Sequence, residues 1–161
     1  MMRTLPILFK AFCEVIHLIY LTEAQRPEFI RVSFPSKEAK KYLKGDSDYE
    51  PWKQKLDADA VGEVLVDKEN NKQIAHGFVR TDGDNNGFII NIHTHDEYRR
   101  MGFGEILIKD LVKDYGGVDL TVMCDNTPAV NLYKKCGFEI IDKGDFEGVG
   151  EEYYMKLKNR S

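Results

Sequence analysis

Apolar residues change their spacing repeatedly after residue 60, and each change marks a new element. Gly62 to Asp67 and Ile74 to Arg80 alternate apolar and polar positions, the period of half-buried strands. Lys68 to Lys72 is short enough for a hairpin, and Asp82 to Gly87 turns the chain into an apolar strand from Phe88 to Thr94. Short connections of this kind build an antiparallel meander. The spacing then becomes helical through Phe103, Ile106, Leu107, Leu111 and Tyr115, and the pair Gly116-Gly117 is expected to end that helix. Asp119 to Cys124 reads as a returning strand. A strand, a crossover helix and a strand normally lie parallel with a right-handed connection. The next helix is expected to take Thr127 as its cap and Pro128 as its first residue, to bury Ala129, Leu132, Tyr133 and Cys136, and to stop at Gly137. Strands near Phe138 to Asp142 and Glu152 to Leu157 complete an α+β fold, a mixed and mostly antiparallel sheet with helices packed on it.

The pattern is weaker before residue 61. It predicts a strand from Val15 to Leu21, a helix entered at Thr22 and limited by Pro27, a turn at Ser33-Phe34-Pro35, and a helix from Ser36 to Leu43 ended at Gly45. The apolar start, Met1 to Phe9, looks like the beginning of a signal peptide. Lys10 and Glu14 interrupt it and no small-residue cleavage site follows, so residues 1–12 read as an apolar extension of a single domain spanning 1–161. No apolar run approaches the roughly 20 residues of a membrane span.

Composition narrows the partners. The chain is 42% hydrophobic and 31% charged, ordinary for a soluble protein, and its net charge of −4 argues against a general nucleic-acid binder. The acidic loops Asp46 to Glu50 and Asp82 to Asp84 have two readings, attraction of a cationic substrate or plain solvated charge. Three cysteines, Cys13, Cys124 and Cys136, lack metal-type spacing and suggest reduced thiols in the cytoplasm. Asp82, Asp84, Asn86 and Gly87 imitate a calcium loop, but His93 falls where a bidentate glutamate belongs and the flanks read as strands, so a hairpin turn is expected and no metal. His93 and His95 have no evident third ligand.

The segment that carries chemistry is Arg99-Arg100-Met101-Gly102-Phe103-Gly104, between the strand ending at Thr94 and a helix. Two glycines admit close backbone approach, and the free N–H groups of a helix start favour an anion. A dinucleotide fingerprint would need glycine where Leu107 stands, and a phosphate-binding Walker loop would need Gly-Lys-Ser/Thr. The turn therefore gains its meaning from the downstream run Asn126 to Phe138.

Together these segments resemble the GNAT superfamily of acetyl-CoA-dependent N-acetyltransferases. Arg99-x-x-Gly102-x-Gly104 is similar to its pyrophosphate motif, and Asn126 to Phe138 to its N-x-x-A-x-x-L-Y-x-x-x-G-F pattern. The close resemblance covers roughly residues 87 to 157. It implies a three-layer αβα fold with a splayed parallel strand pair at the centre of the sheet. It also implies that backbone amides of Arg100, Met101, Gly102, Phe103 and Gly104 cradle the pyrophosphate, with charge from Arg99 and Arg100. The backbone of Ile92, His93 and Thr94 would lie along the pantetheine arm, Asn126 would bond to it, and Tyr133 would stand by the sulfur as general acid. Acetyl-CoA would be the co-substrate and an amine, small-molecule or peptide, the acceptor.

The chemistry limits two of these roles. Complete proton transfer from tyrosine to a thiolate is uphill by about 2 kcal/mol at reference pKa values, so a hydrogen bond to sulfur matters more. Deprotonating an alkylammonium at neutral pH costs roughly 4 kcal/mol, and Phe88, Ile90 and Thr121 offer no base. His93 is the candidate base or water relay, with strand alternation in question. The want of a carboxylate keeps an alternative in view, a catalytically weak acyl-CoA-binding module. Neither the acceptor nor the oligomeric state, a homodimer included, can be read from the sequence.

Overall fold

The computed structural model describes residues 26–157, so the strand expected at Val15 to Leu21, the helix entry at Thr22 and Cys13 lie outside the described residues. The chain runs β1 (Phe29–Phe34), α1 (Lys37–Leu43), a short 3-10 helix (Glu50–Trp52), α2 (Lys53–Asp59), β2 (Ala60–Asp67), β3 (Gln73–Thr81) and β4 (Asn86–Thr94). A second 3-10 helix (Asp96–Tyr98), α3 (Phe103–Val112), β5 (Gly117–Met123), α4 (Thr127–Lys135), β6 (Phe138–Gly144) and β7 (Glu152–Leu157) follow. The strands form one sheet in the order β1-β2-β3-β4-β5-β7-β6.

Among the described strands only β4 and β5 are parallel, and their ladder is three pairs long: Asn86 with Gly117, Gly87 with Val118, Phe88 with Asp119. Beyond Phe88 the two strands part. Opposite β3, the register skips Ile90, because Phe78 pairs with Asn91 while Val79 pairs with Ile89. This bulge re-aims the strand. Ile89 and Ile92 pack with the α3 and α4 side chains, whereas Ile90 packs on the other face.

Helices cover both faces, because each face presents an apolar set that a helix stripe can bury. On one side Ile108, Leu111, Val130 and Tyr133 close over Ile89, Val118, Leu120, Val122 and Met155. On the other, Ala39, Leu43 and Leu56 close over Val32, Phe34, Val64 and Phe78. Leu43 and Leu56 are fully buried, each worth about 1.5–3 kcal/mol of transfer free energy. Among the described residues no helix is long and apolar enough to cross a membrane.

Several expectations need correction. Residues 29–34, for which no strand is expected from the sequence, form β1, the edge strand among the described strands; it pairs with β2 along its whole length and includes Ser33 and Phe34 of the expected turn. Ser36 is the cap of α1, its hydroxyl accepting from the Ala39 N–H at 3.0 Å. Asn126, not Thr127, caps α4 by accepting from the Ala129 N–H at 3.3 Å. Gly116 and Gly117 are not the left-handed stop of α3, which ends at Val112. Instead the Gly116 N–H donates to the Asn85 carbonyl at 2.8 Å and brings β5 beside β4. Gly137, with φ of +98°, does end α4 as expected. Residues 82–85 form the β3–β4 turn, and Asn86 and Gly87 already belong to β4.

Candidate active site

A cavity of about 1000 Å³ opens where β4 and β5 separate. Ile92, His93, Thr94, Arg99, Arg100, Gly102, Phe103, Gly104, Asn126 and Tyr133 all line it, so residues far apart in sequence share one wall. Met101 does not: its side chain packs with Tyr98, Phe103 and Leu107.

The turn before α3 has the backbone of an anion cradle. Arg100 and Gly102 both adopt left-handed conformations, with φ of +62° and +83°. An arginine rarely takes that region, and the alternation turns successive N–H groups toward one concavity. Gly102 caps α3 without a side-chain bond, which leaves the first N–H groups of the helix for a ligand. The two glycines have different reasons to be there. A Cβ on Gly102 would meet the Arg26 guanidinium at 2.8 Å, whereas one on Gly104 would meet Leu132 Cδ2 at 2.8 Å. Gly104 thus lets α3 approach α4, and Gly102 shapes the turn. Arg26 donates to the Met101 carbonyl at 2.7 Å and lies over the Phe103 ring, adding a cation beside Arg99 and Arg100. Arg99 itself is tied to Asp96 at 3.0 Å and to the Thr94 carbonyl at 3.2 Å. Arg26 was missed from sequence because nothing near Pro27 signals a ligand.

Tyr133 sits in α4, 8% exposed, with its ring edge-on to Phe138. Burial, and then the neighbouring Cys136 thiol, push its pKa up to about 12. The phenol is therefore protonated across the working range, and among the described residues it has no hydrogen-bond partner. A protonated hydroxyl on a cavity wall is a donor waiting for an acceptor.

On the opposite side of β4 lies a histidine cluster that the sequence suggested only as alternating residues. His93 Nε2 is 3.2 Å from Asp48, His95 Nε2 is 3.2 Å from Asp46, and His76 packs 5.4 Å from the His93 ring. Within the acidic loop at 46–50, Asp46 is thus not solvated charge, whereas Asp48 is half-exposed and Glu50 exposed. The Asp46 carboxylate is 4% exposed and also accepts from Gln73 at 2.9 Å. Burial opposes its ionisation, yet the Asp48 N–H, the His76 ring, Gln73 and the Tyr49 N–H together hold its pKa below the usual carboxylate range. Burial lowers the His93 pKa against the pull of Asp48, which favours a neutral imidazole able to accept a proton. His93 lines the cavity while its ring packs against His76 on the α1/α2 face.

His76 makes a prediction about stability. Desolvation lowers its pKa to about 4, against 6.5 for the exposed ring. Below pH 6.5 the unfolded chain therefore binds a proton that the folded chain refuses, so stability falls from pH 6.5 toward 4, by up to about 3 kcal/mol. Urea unfolding at pH 7, 5.5 and 4.5 will show this loss, and His76→Gln will flatten it; an unchanged slope in the variant would remove His76 as its source.

Glu147, in the β6–β7 loop, was also unforeseen. Its carboxylate accepts from the Thr121 hydroxyl at 2.9 Å, its own N–H donates to the buried Glu152 carboxylate at 3.0 Å, and it lines the same cavity. No local periodicity marks such a loop, so only the fold brings it to the site.

Comparison with known proteins gives consistent findings. The sequence model of the acetyltransferase (GNAT) family matches residues 19–138. The L-amino acid N-acetyltransferase AaaT of Escherichia coli is 27% identical over 107 residues, covering 63% of this chain and 56% of that protein. An N-alpha-acetyltransferase of Sulfurisphaera tokodaii is 34% identical over 76 residues, 43% of this chain and 46% of the relative. The chain thus spans about half the length of the curated relatives it matches. In fold it resembles the ribosomal-protein-S18-alanine N-acetyltransferase of Escherichia coli, with a TM-score of 0.64 at 17% identity over 81% of this chain and 93% of that one.

Proposed function

The chain belongs to the acetyltransferase (GNAT) family, and on that premise we propose that it moves an acetyl group from acetyl-CoA to a primary amine by direct attack in a ternary complex. The observation that carries this reading is one cavity lined by parted strands, an uncapped and cation-rich helix start, and a protonated tyrosine. The amides from Arg100 to Gly104 would hold the diphosphate, with Arg26, Arg99 and Arg100 supplying charge. The edge of β4 that β5 leaves unpaired, at Ile92 to Thr94, would hold the pantetheine arm as an added strand, with the Asn126 side chain beside it. Acetyl-CoA supplies the activated acyl carbon.

The residues then divide the proton traffic. His93, oriented by Asp48, takes a proton from the ammonium directly or through water, leaving the amine free to attack. The new C–N bond forms as the C–S bond breaks, one N–H proton of the attacking nitrogen passes to the departing sulfur directly or through water so that CoA leaves as the thiol, and Tyr133 donates a hydrogen bond to that sulfur. The acceptor is a small-molecule or peptide amine, the two kinds that the names of its relatives carry. A cytoplasmic location suits Cys124 and Cys136, which are free thiols.

Thiol release from acetyl-CoA, measured across a panel of primary amines, tests the reading. Amine-dependent release with acetylated product is expected. Binding of CoA by calorimetry without thiol release from any amine would overturn it in favour of a binding module.

A further inference from the structure

The inference rests on the acetyl transfer just proposed, and it concerns the far end of the same cavity. Positive charge lines that cavity at two places. Arg99 and Arg100 follow the open end of β4, whereas Arg80 pairs with Phe88, which in turn pairs with Asp119 at the closed end of the splay. Phe88 and Thr94 are six residues apart in sequence, about 20 Å at ~3.3 Å per residue of strand. A diphosphate held at the α3 start therefore does not reach Arg80. α2 arrives at this closed end too, because Ala60, which follows it directly, pairs with Arg80. It brings Lys55, whose ammonium lies 5.5 Å over the Trp52 ring and also lines the cavity.

Among the described residues neither Arg80 nor Lys55 has a carboxylate partner. Arg80 is half-buried, and a guanidinium partly removed from water gains most from an anion that enters with the substrate. The carboxylate of Glu147 stands against Thr121, two residues beyond Asp119 and so just where the strands part. Its charge has no cation partner among the described residues. One end of the acceptor space is thus cationic, and its middle is anionic beside the place where acyl transfer would occur.

We infer that the acceptor is an amine that also carries a carboxylate a few bonds away, as an amino acid does. Glu147 faces the ammonium before it loses its proton, and Arg80 with Lys55 takes the carboxylate. A site built this way rejects the uncharged analogue, because the amide leaves Arg80 unpaired.

The experiment compares free amino acids, their carboxamides, and peptides beginning with acidic or neutral residues, at saturating acetyl-CoA. Free amino acids are expected to show kcat/KM about 10- to 100-fold above their amides, the range of charge-assisted hydrogen bonds. Arg80→Gln should collapse that ratio to within about threefold, mainly through KM, while CoA affinity and thermal midpoint stay put. A preference confined to acidic peptides, equally lost in Arg80→Gln, would support the same subsite with the carboxylate supplied by a peptide side chain. Amides and neutral peptides turned over as fast as amino acids, or a ratio untouched by Arg80→Gln, would overturn this inference and leave acetyl transfer standing. Absence of turnover with every amine would overturn both.

Discussion

Tyr133→Phe will slow acetyl transfer about 100-fold and leave CoA affinity within about threefold of the parent. The size follows from what the phenol can and cannot do. With its pKa pushed up to about 12, it gives up its proton to a thiolate only at a cost of about 5 kcal/mol relative to a reference thiol near 8.5. It therefore acts as a hydrogen-bond donor to developing negative charge, an interaction of about 1.5–3 kcal/mol that exists only as the C–S bond breaks. The ring stays packed against Phe138 without the hydroxyl, and no partner is orphaned, so the fold should be indifferent to the change. The same pKa removes any falling limb from tyrosine ionisation in the parent pH–rate profile below about pH 11. Stopped-flow thiol release with calorimetry of CoA reads both quantities. A phenylalanine variant at full speed would remove the phenol from the chemistry.

Gly102→Glu will abolish measurable CoA binding, a loss of at least about 100-fold, by two routes that add. The residue has φ of +83°, a conformation that costs an L side chain roughly 1–2 kcal/mol. Its Cβ points at the Arg26 guanidinium, so the new carboxylate arrives among the three arginines that line the turn and cancels the field meant for a diphosphate. Gly45→Glu is the matched control. It has φ of +80° with nothing within 4 Å of its Cβ, so it carries the same backbone penalty far from the cradle. CoA titrations on both variants, alongside thermal melts, separate strain from charge. A Gly102→Glu protein that is folded and binds CoA normally would refute the cradle.

The part of the chain after residue 61 was legible because its signals are local and agree. Strand period, helix period and the spacing from Arg99 to Gly104 all point the same way, and the structure departs in details such as the Asn126 cap, the end of α3 before Gly116 and the packing of Met101. The first half failed for physical reasons that can be named. β1 alternates Phe29, Arg31, Ser33 with Ile30, Val32, Phe34, but Pro27 and Pro35 bracket it and masked it as a turn region. α2 has one buried residue, Leu56, so it has no stripe to detect; its place is set by the sheet it leads into. In the site, the turn and Tyr133 were readable because each belongs to a contiguous pattern. Arg26, Arg80, Asp48 and Glu147 were not, since each becomes meaningful only when tertiary packing carries it to the turn or to the cavity. Asp46 and Asp48 show the general reason: on paper an acidic loop is hydrophilic, and in the fold its carboxylates stand within 4 Å of three imidazole rings.

The three-pair ladder between β4 and β5 makes the sheet two panels joined at one corner. Amide protons along the inner margin of β4, from Ile90 onward, should exchange with solvent quickly in the empty protein and slowly once a thread of pantetheine lies against them. On the proposed reading, acetyl-CoA would complete the architecture as well as supply the acyl group, and melting temperature should climb with its concentration. Such a protein would be stiffer when charged with acetyl-CoA and looser without it.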